Sequence, residues 1–366
     1  MKFQLSREVL LGPLQNIIGV VERRQTMPIL SNVMLSIDGD TMLLTGTDLE
    51  VELQSSTVIV GADPGDITVP GRKLLDICKA LPEEAMLEIS LDKGRIKIKS
   101  GRSRFTLSTL PATEFPTIED INTTVSFKVP QKALKHLIYR THFSMAQQDV
   151  RFYLNGSLLE IDSGRLRSVA TDGHRLALCD AKLSSKINKA EQVIVPRKGI
   201  LELLRLLAEV DDTCSVALGS NHIRVSMGDI TFTSKLIDGR FPDYERVIPS
   251  APEKQLKASR EVLRHALVRA AILSNEKYRG VRLSLDENIL KIQAHNPEQE
   301  EAEEEIEVEY SGEPLEVGFN VVYLMDALGA LESEIVSISL SDPNSSCLIQ
   351  DPDNEDCRYV VMPMRL

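Results

Sequence analysis

The 366-residue sequence predicts an α+β fold in which one unit of about 124 residues occurs three times. Three observations carry this. Two helical segments recur in the same order, polar turn pairs recur between them, and the residues separating the helices alternate with the two-residue period of strands.

The first helix is carried by FQLSREVLLGPL from Phe3, FKVPQKALKHLI from Phe127 and LKASREVLRHAL from Leu256, which start 124 and 129 residues apart. Each opens on a short strand, then has Ser6, Pro130 or Ser259 where a helix would begin, and then Leu10, Leu134 or Leu263 on the apolar face. The second helix is VPGRKLLDICKAL from Val69, VPRKGILELLRLL from Val195 and FNVVYLMDALGAL from Phe319, at spacings of 126 and 124. Between the helices, Thr47-Asp48, Thr171-Asp172 and His295-Asn296 recur 124 residues apart both times, and Phe115-Pro116 and Phe241-Pro242 close the first two units. Stretches such as MLEISL, RIKIKS and VSISL alternate between Gly, Asp and Asn turns, as hairpin strands do. Pro-containing connectors from Pro111 and Phe241 place the boundaries, giving domains expected at 1–120, 125–243 and 245–366, each with two helices packed on antiparallel sheets.

Acidic residues outnumber basic ones by 54 to 42, for a net charge of −12. The average surface therefore repels phosphate, and any nucleic-acid contact must come from a local basic face. Five cysteines, Cys78, Cys179, Cys214, Cys347 and Cys357, are scattered without a C-x-x-C pair. That pattern predicts free thiols in a reducing compartment and no structural zinc. The opening MKFQLSREVLLGPLQ carries charges and a proline where a signal peptide needs an apolar run, and no apolar run elsewhere approaches the 18 or so residues of a membrane span. A cytoplasmic protein with no membrane partner is expected.

The helices predict two kinds of face. Near Pro130, Ala133, Leu134, Leu137 and Ile138 form an apolar stripe while Lys132, His136 and Arg140 recur on another face. Near Ser259, Val262, Leu263, Ala266, Leu267 and Ala270 point inward, with Arg264, His265 and Arg269 outward. Arg72, Lys73 and Lys79 decorate the second helix of the first unit, and Arg197, Lys198 and Arg205 that of the second. One basic helix face is ordinarily only a solvated surface. The same face repeated on equivalent helices of an acidic protein predicts a shared electropositive surface for sequence-independent phosphate contact. Aromatics able to stack unpaired bases are few, which favours duplex over single strand. The two ends of the chain differ in sign: Lys93, Arg95, Lys97, Lys99, Arg102 and Arg104 make a basic edge, and EQEEAEEEIEVE from Glu298 an acidic one. Such runs often only solvate an edge. Head-to-tail pairing of opposite ends would instead build a homo-oligomer, and a ring if the rotation closes.

With these features in place, the whole chain resembles the bacterial replicative sliding clamp, the beta subunit of DNA polymerase III. The resemblance rests on TGTDLE at Thr45, SGRSRFTLSTLPA at Ser100, FSMAQQDVRFYLNG at Phe143, VATDGHRLAL at Val169, VPRKG at Val195, TSKLIDGRFPDY at Thr233, AAILSNEKYRGVRL at Ala270, NPEQEEAEE at Asn296 and the terminal YVVMPMRL. It implies a head-to-tail homodimeric ring of six clamp domains, loaded onto primed duplex DNA by an ATP-driven clamp loader. It further implies tethering of the DNA polymerase III alpha subunit, other polymerases and repair proteins, with no reaction of its own and no cofactor or metal. Carried over by resemblance, Arg24, Arg72, Gln148, Tyr153, Arg197 and Lys198 touch DNA. Phe152 and Gln147 stand where the family often has tyrosine and histidine. The dimer contact pairs Lys73, Arg95, Arg102 and Arg104 with Glu300, Glu301, Glu303 and Glu304 around Phe105, Leu107, Ile272 and Leu273.

TDGHR at Thr171 brings together Asp172, His174 and Arg175, the parts of an acid–base site. Asp-Gly between alternating segments is first a hairpin turn, and no nucleophile motif, phosphate loop or metal-ligand spacing accompanies it. A hydrolase built on His174 and a peptide-binding adaptor that never meets DNA are the competing classes. The resemblance instead makes TDGHRL and VMPMRL a pocket for short linear motifs of Gln-x-x-Leu-Phe type. Its residues are Leu154, Thr171, Gly173, His174, Arg175, Leu176, Pro242, Arg246, Val247, Asn320, Tyr323, Val360, Val361, Met362, Pro363, Met364 and Arg365. Asn344 replaces an apolar residue common in relatives, which predicts a more polar pocket floor.

Overall fold

The computed structural model describes residues 1–21, 27–118, 121–185, 187, 189–249 and 254–365. Among them the order strand, helix, four strands, helix, three strands occurs three times. The helices are α1 (Arg7–Ile17), α2 (Gly71–Ala80), α3 (Gln131–Thr141), α4 (Arg197–Leu206), α5 (Arg260–Ala271) and α6 (Val321–Ala330). Pro70, Pro130 and Pro196 each end a strand and stand directly before α2, α3 and α4. A fixed φ and a missing N–H suit proline to that junction. Ser6 and Ser259 stand at helix starts as expected but make no side-chain cap, whereas Asn320 accepts from the Val322 N–H at 2.9 Å. None of the described helices is long and apolar enough to cross a membrane.

The chain divides into two compact units, Met1–Lys132 with Leu201–Leu236, and Ala133–Ile200 with Ile237–Leu366. The first holds a four-stranded sheet in the order Lys2–Ser6, Met86–Asp92, Arg95–Ser100, Ser103–Ser108. It also holds an eight-stranded sheet in the order Gly65–Pro70, Asn32–Asp38, Thr41–Thr47, Val51–Val58, Ile230–Lys235, His222–Met227, Thr213–Gly219, Thr123–Pro130. This larger sheet runs across two repeats: Val51–Val58 pairs with Ile230–Lys235, with Leu53 opposite Phe232. Two edge strands thereby satisfy each other's backbone groups, which neither repeat could do alone.

The second unit repeats the arrangement. Its eight-stranded sheet runs Glu191–Pro196, Gly156–Asp162, Arg165–Thr171, Arg175–Lys182, Cys357–Val361, Cys347–Gln350, Ile335–Leu340, Lys254–Ser259. The repeats meet where Leu176 faces Val360. The four-stranded sheet runs Glu301–Glu307, Ile289–His295, Gly280–Asp286, Leu315–Asn320.

The helices bury one stripe each. Leu10, Leu14 and Ile17 of α1 and Leu74, Leu75 and Cys78 of α2 lie inside the first unit. In the second, Leu263, Ala266, Leu267 and Ala270 of α5 join Leu324 and Leu328 of α6, Val281, Leu283, Phe319 and Tyr359 in one core. Two sequence expectations fail here. Val262 is 49% exposed, because the buried stripe of α5 is narrower than its apolar composition. Arg140 belongs to no exposed basic face: it is 4% exposed and ion-paired with Glu332, a partner 192 positions along the chain that helical periodicity cannot reveal.

The expectation of five free thiols is also corrected. Cys179 and Cys357 face each other across the paired strands and form a disulfide, Cα to Cα 4.1 Å. Cys78, Cys214 and Cys347 are free and buried, and burial pushes their thiols up to about 11, 11 and 12, so they carry no reactive thiolate.

Glu52, 2% exposed, accepts from the Ile118 N–H at 2.9 Å, yet burial raises its carboxyl above the ordinary value against the pull of that hydrogen bond and of Arg224. A raised folded-state value means the ionised group opposes folding above that value, and the opposition vanishes below the ordinary carboxylate range. Glu52→Gln should therefore unfold at higher denaturant than the parent at pH 7, with the difference gone by about pH 4; a lower midpoint at pH 7 would reverse the assignment.

Candidate binding pocket and charged edges

The hairpin between Arg165–Thr171 and Arg175–Lys182 is closed by its own side chains. Asp172 Oδ1 accepts from the N–H groups of His174 (2.8 Å) and Arg175 (3.0 Å), and Gly173 takes φ 88°, which a side chain would resist. Thr171 Oγ1 donates to the Arg175 carbonyl at 2.6 Å and accepts from the Gly173 N–H at 3.1 Å. The same bonds are made in the first repeat: Asp48 Oδ1 accepts from Glu50 and Val51, and Thr47 Oγ1 donates to Val51. In the third repeat, Asn296 Oδ1 accepts from the Glu300 N–H in a longer turn. The Asp-Gly turn reading of TDGHR is thus matched in detail.

Arg175 fastens this turn to the rest of its unit. Its guanidinium donates to Asp172 Oδ2 at 3.2 Å, to Asp326, and to the Phe143 carbonyl at 2.6 Å, and lies 4.5 Å over the Tyr323 ring. Beside it opens a cavity of about 160 Å3, lined by Arg151, Tyr153, Leu154, Thr171, Gly173, Arg175, Leu176, Pro242, Asp243, Tyr244, Val247, Val360 and Met362. Its floor is the outer side of an apolar cluster containing Leu158, Val169, Leu176, Leu178, Phe241 and Val360. Sites enclosing a drug-sized ligand run to roughly 300–1,000 Å3. This one suits one or two apolar side chains of a segment lying across its mouth.

The wall at Tyr244 is held from behind. Its hydroxyl donates to Glu160 and accepts from Arg167 Nη1 at 3.1 Å, and Arg167 is itself paired with Asp180 at 2.6 Å. Burial, then the bond to Glu160, push the phenol up to about 12, so it stays neutral.

Nine of the expected pocket residues line the cavity: Leu154, Thr171, Gly173, Arg175, Leu176, Pro242, Val247, Val360 and Met362. The other eight are not among the lining residues. The exposed His174 contributes its carbonyl to the Met362 N–H at 2.9 Å, and Met364 donates to the Gly318 carbonyl at 2.8 Å. Val361 is buried opposite Arg175, Tyr323 supports Arg175, and Asn320 caps α6. Arg246, 83% exposed at its side chain, pairs with Asp243 at 2.6 Å; Pro363 is half-buried and Arg365 exposed. Sequence reasoning passed over Arg151, Asp243 and Tyr244, although the quoted segments DVRFYLNG and FPDY contain them. Asn344 is exposed in a turn, donating to Asp342, and is not among the lining residues, so the expected polar floor is not formed by it.

The residues expected on DNA lie on different elements of the chain. Arg24 lies outside the described residues. Arg72 donates twice to the Val21 carbonyl (2.7 and 3.1 Å) and Arg197 to the Met145 carbonyl at 3.2 Å, while Gln148 is exposed at φ 57° and Lys198 sits at the start of α4. Tyr153 lines the pocket. Several of the basic helix residues therefore hold backbone carbonyls as well as contributing charge.

The smaller sheet of each unit has two edge strands, and one of the two lies in a charged stretch of the chain. In the first unit it is Ser103–Ser108, with Arg104 exposed and Phe105 and Leu107 half-buried; Arg95 and Arg102 are exposed nearby, and Lys73 is exposed on α2. In the second it is Glu301–Glu307, whose acidic side chains are partly engaged within the unit. Glu303 meets Lys291 at 2.8 Å, Glu304 meets Arg269 at 2.6 Å, and Glu300 accepts from Asn296 Nδ2 at 2.7 Å. Those partners hold the Glu303 and Glu304 carboxyls below the ordinary range. Ile272, 73% exposed, and half-buried Leu273 stand just past α5.

This is a repeat-built α+β protein with a peptide-sized apolar pocket and two oppositely charged sheet edges. Its sequence matches the family models of the DNA polymerase III beta subunit for the N-terminal domain (residues 1–119), the central domain (128–243) and the C-terminal domain (245–365). It is 58% identical to the beta sliding clamp of Pseudomonas aeruginosa and 53% identical to that of Escherichia coli, each over the full length of both chains. Its fold superimposes on a crystal structure of the Pseudomonas aeruginosa sliding clamp with a TM-score of 0.98 at 57% identity, and on Caulobacter crescentus pol III beta with 0.95 at 38%, again over both whole chains. The chain belongs to the bacterial beta sliding clamp family, the beta subunits of DNA polymerase III, which are non-catalytic processivity factors of DNA replication.

Removing the Arg175 guanidinium strands two carboxylates and a carbonyl. Arg175→Ala should lower unfolding stability by about 1.5–3 kcal/mol, and Arg175→Lys should recover only part, because an ammonium cannot fork between these acceptors. Chemical denaturation checks this; a loss under about 0.5 kcal/mol would show that the turn is held without it.

Proposed function

We propose that two copies of this chain, each with domains near 1–120, 125–243 and 245–366, join head to tail into a ring that encloses duplex DNA in the cytoplasm. The observation that carries the reading is the pair of open edge strands, basic at Ser103–Ser108 and acidic at Glu301–Glu307. Exposed ion pairs contribute only about 0–1 kcal/mol each. In this reading the charges set orientation, and Phe105, Leu107, Ile272 and Leu273 supply the apolar centre of the contact. Enclosure then retains the protein on DNA without tight binding, and Arg24, Arg72, Gln148, Arg197 and Lys198 give weak phosphate contacts that permit sliding.

The pocket beside the Thr171–Arg175 turn takes short linear motifs of the DNA polymerase III alpha subunit, the clamp loader, other polymerases and repair proteins. We assign Tyr153 to this role, since its ring lines the cavity. The small volume, apolar floor and fixed rim favour a peptide over a reacting small molecule.

Ring closure predicts topological retention. The protein should stay on nicked circular DNA through gel filtration after loading and leave once the circle is cut; equal retention on linear DNA would indicate ordinary binding, and none on either would favour the adaptor class. The double variant Ile272→Ala and Leu273→Glu should sediment as a monomer; a dimer would exclude this contact. For the pocket, a fluorescent peptide ending in a Gln-x-x-Leu-Phe motif should bind the Met362→Ala chain at least about tenfold more weakly, roughly 1.4 kcal/mol, with unchanged sedimentation. Equal affinity would place the peptide elsewhere.

A further inference from the structure

Away from the pocket, three ligand-type side chains from three separated elements meet. Cys179 lies in the strand Arg175–Lys182, Cys357 faces it from Cys357–Val361, and His136 reaches them from α3. One imidazole nitrogen and the two sulfurs all lie within 4.8 Å of one another. A cavity of about 240 Å3 opens beside them, with Asp180, Asp351 and Asp356 in its wall.

We propose that the reduced chain binds one zinc-class divalent ion through Cys179, Cys357 and His136, and that the disulfide in the structure is the oxidised state of the same site. Tetrahedral zinc, with bonds of about 2.3 Å to sulfur and 2.0–2.1 Å to nitrogen, requires ligand atoms roughly 3.5–3.8 Å apart. Once the disulfide opens, the two sulfurs have to part from bonded contact to that spacing, and the imidazole nitrogen, within 4.8 Å of both, has to close on the ion. The backbone is fixed for good reason: the two cysteines stand opposite each other in paired strands, and His136 rides on a helix anchored by buried Leu134, Leu137 and Ile138.

The chemistry of the donors selects the ion. Two thiolates and an imidazole suit zinc and other borderline or soft cations and disfavour magnesium or calcium. The fourth position is left to water or to a carboxylate of the adjoining wall. Cys179 is fully buried, where an isolated thiolate is costly. Two thiolates neutralise a divalent ion, so the bound site adds no net buried charge. On binding, two S–H groups release two protons to solvent and two metal–sulfur bonds form, with no electron transferred. A low-molecular-weight disulfide reverses this: it takes two electrons from the thiolates and two protons from solvent, leaves as two thiols, and the ion departs as the Cys179–Cys357 bond forms. Sequence spacing hides the site, because its ligands come from positions 136, 179 and 357.

The test is a titration of the full-length chain, reduced and stripped of metal, with Co2+ as the spectroscopic probe and Zn2+ as competitor. One equivalent should bind with thiolate-to-cobalt charge-transfer bands in the near ultraviolet, and Zn2+ should displace it. Chain oxidised with glutathione disulfide should show no such bands. Affinity should fall at least about 100-fold in Cys357→Ser and at least about tenfold in His136→Ala, a direct ligand weighing no less than the roughly 10–100-fold of an outer-shell partner. Thermal melts of each variant, with Cys357→Ala as a second substitution, separate ligand loss from misfolding. Absence of charge-transfer bands in the reduced parent, or unchanged affinity in folded His136→Ala, would overturn the three-ligand site.

Discussion

The constraint on which the rest depends is the unfilled backbone of a sheet edge. A strand with unpaired N–H and C=O groups is a template for another strand, and a protein must cover it, disrupt it or use it. Within each compact unit this chain covers two edges by fusing strands of different repeats into one eight-stranded sheet, at Leu53 opposite Phe232 and at Leu176 opposite Val360. One edge strand of each smaller sheet lies in a charged stretch, basic around Ser103–Ser108 in one unit and acidic at Glu301–Glu307 in the other. Charge of one sign deters pairing with a like edge and permits it with the opposite one. A single device thus opposes random aggregation and favours head-to-tail association.

The same fusion positions the pocket. Leu176 and Val360 are cross-strand partners and also neighbours on the cavity wall. The rim is set by the Asp172 turn, which Arg175 ties to Asp326, Phe143 and Tyr323. Bonds that recur at Thr47-Asp48 show a turn inherited with the repeat, and only one copy of it carries this arginine anchor. Function here is added to one repeat of a shared frame by a few side chains.

What was legible in the sequence was local. The helix start after Pro130, the alternating strands and the Asp-Gly turn follow from periods and residue types a few positions apart. What was not legible depended on distant partners. Arg140 turns inward to meet Glu332, and Cys179 meets Cys357 because two strands happen to align in register. Val262 lies outside because the buried stripe of its helix takes in only Leu263, Ala266, Leu267 and Ala270. For the pocket, family motifs supplied Leu154, Leu176 and Met362, while Tyr244, set by its contacts to Glu160 and Arg167, needed the folded chain to be seen.

Pairing of unlike edges can be tested by complementation. Leu107→Glu spoils the basic end, and the Ile272→Ala and Leu273→Glu pair spoils the acidic end, each leaving the other end intact. Sedimentation velocity should show monomers for each variant alone and a one-contact heterodimer in the equimolar mixture. Dimers of either variant alone, or monomers persisting in the mixture, would contradict association through opposite ends.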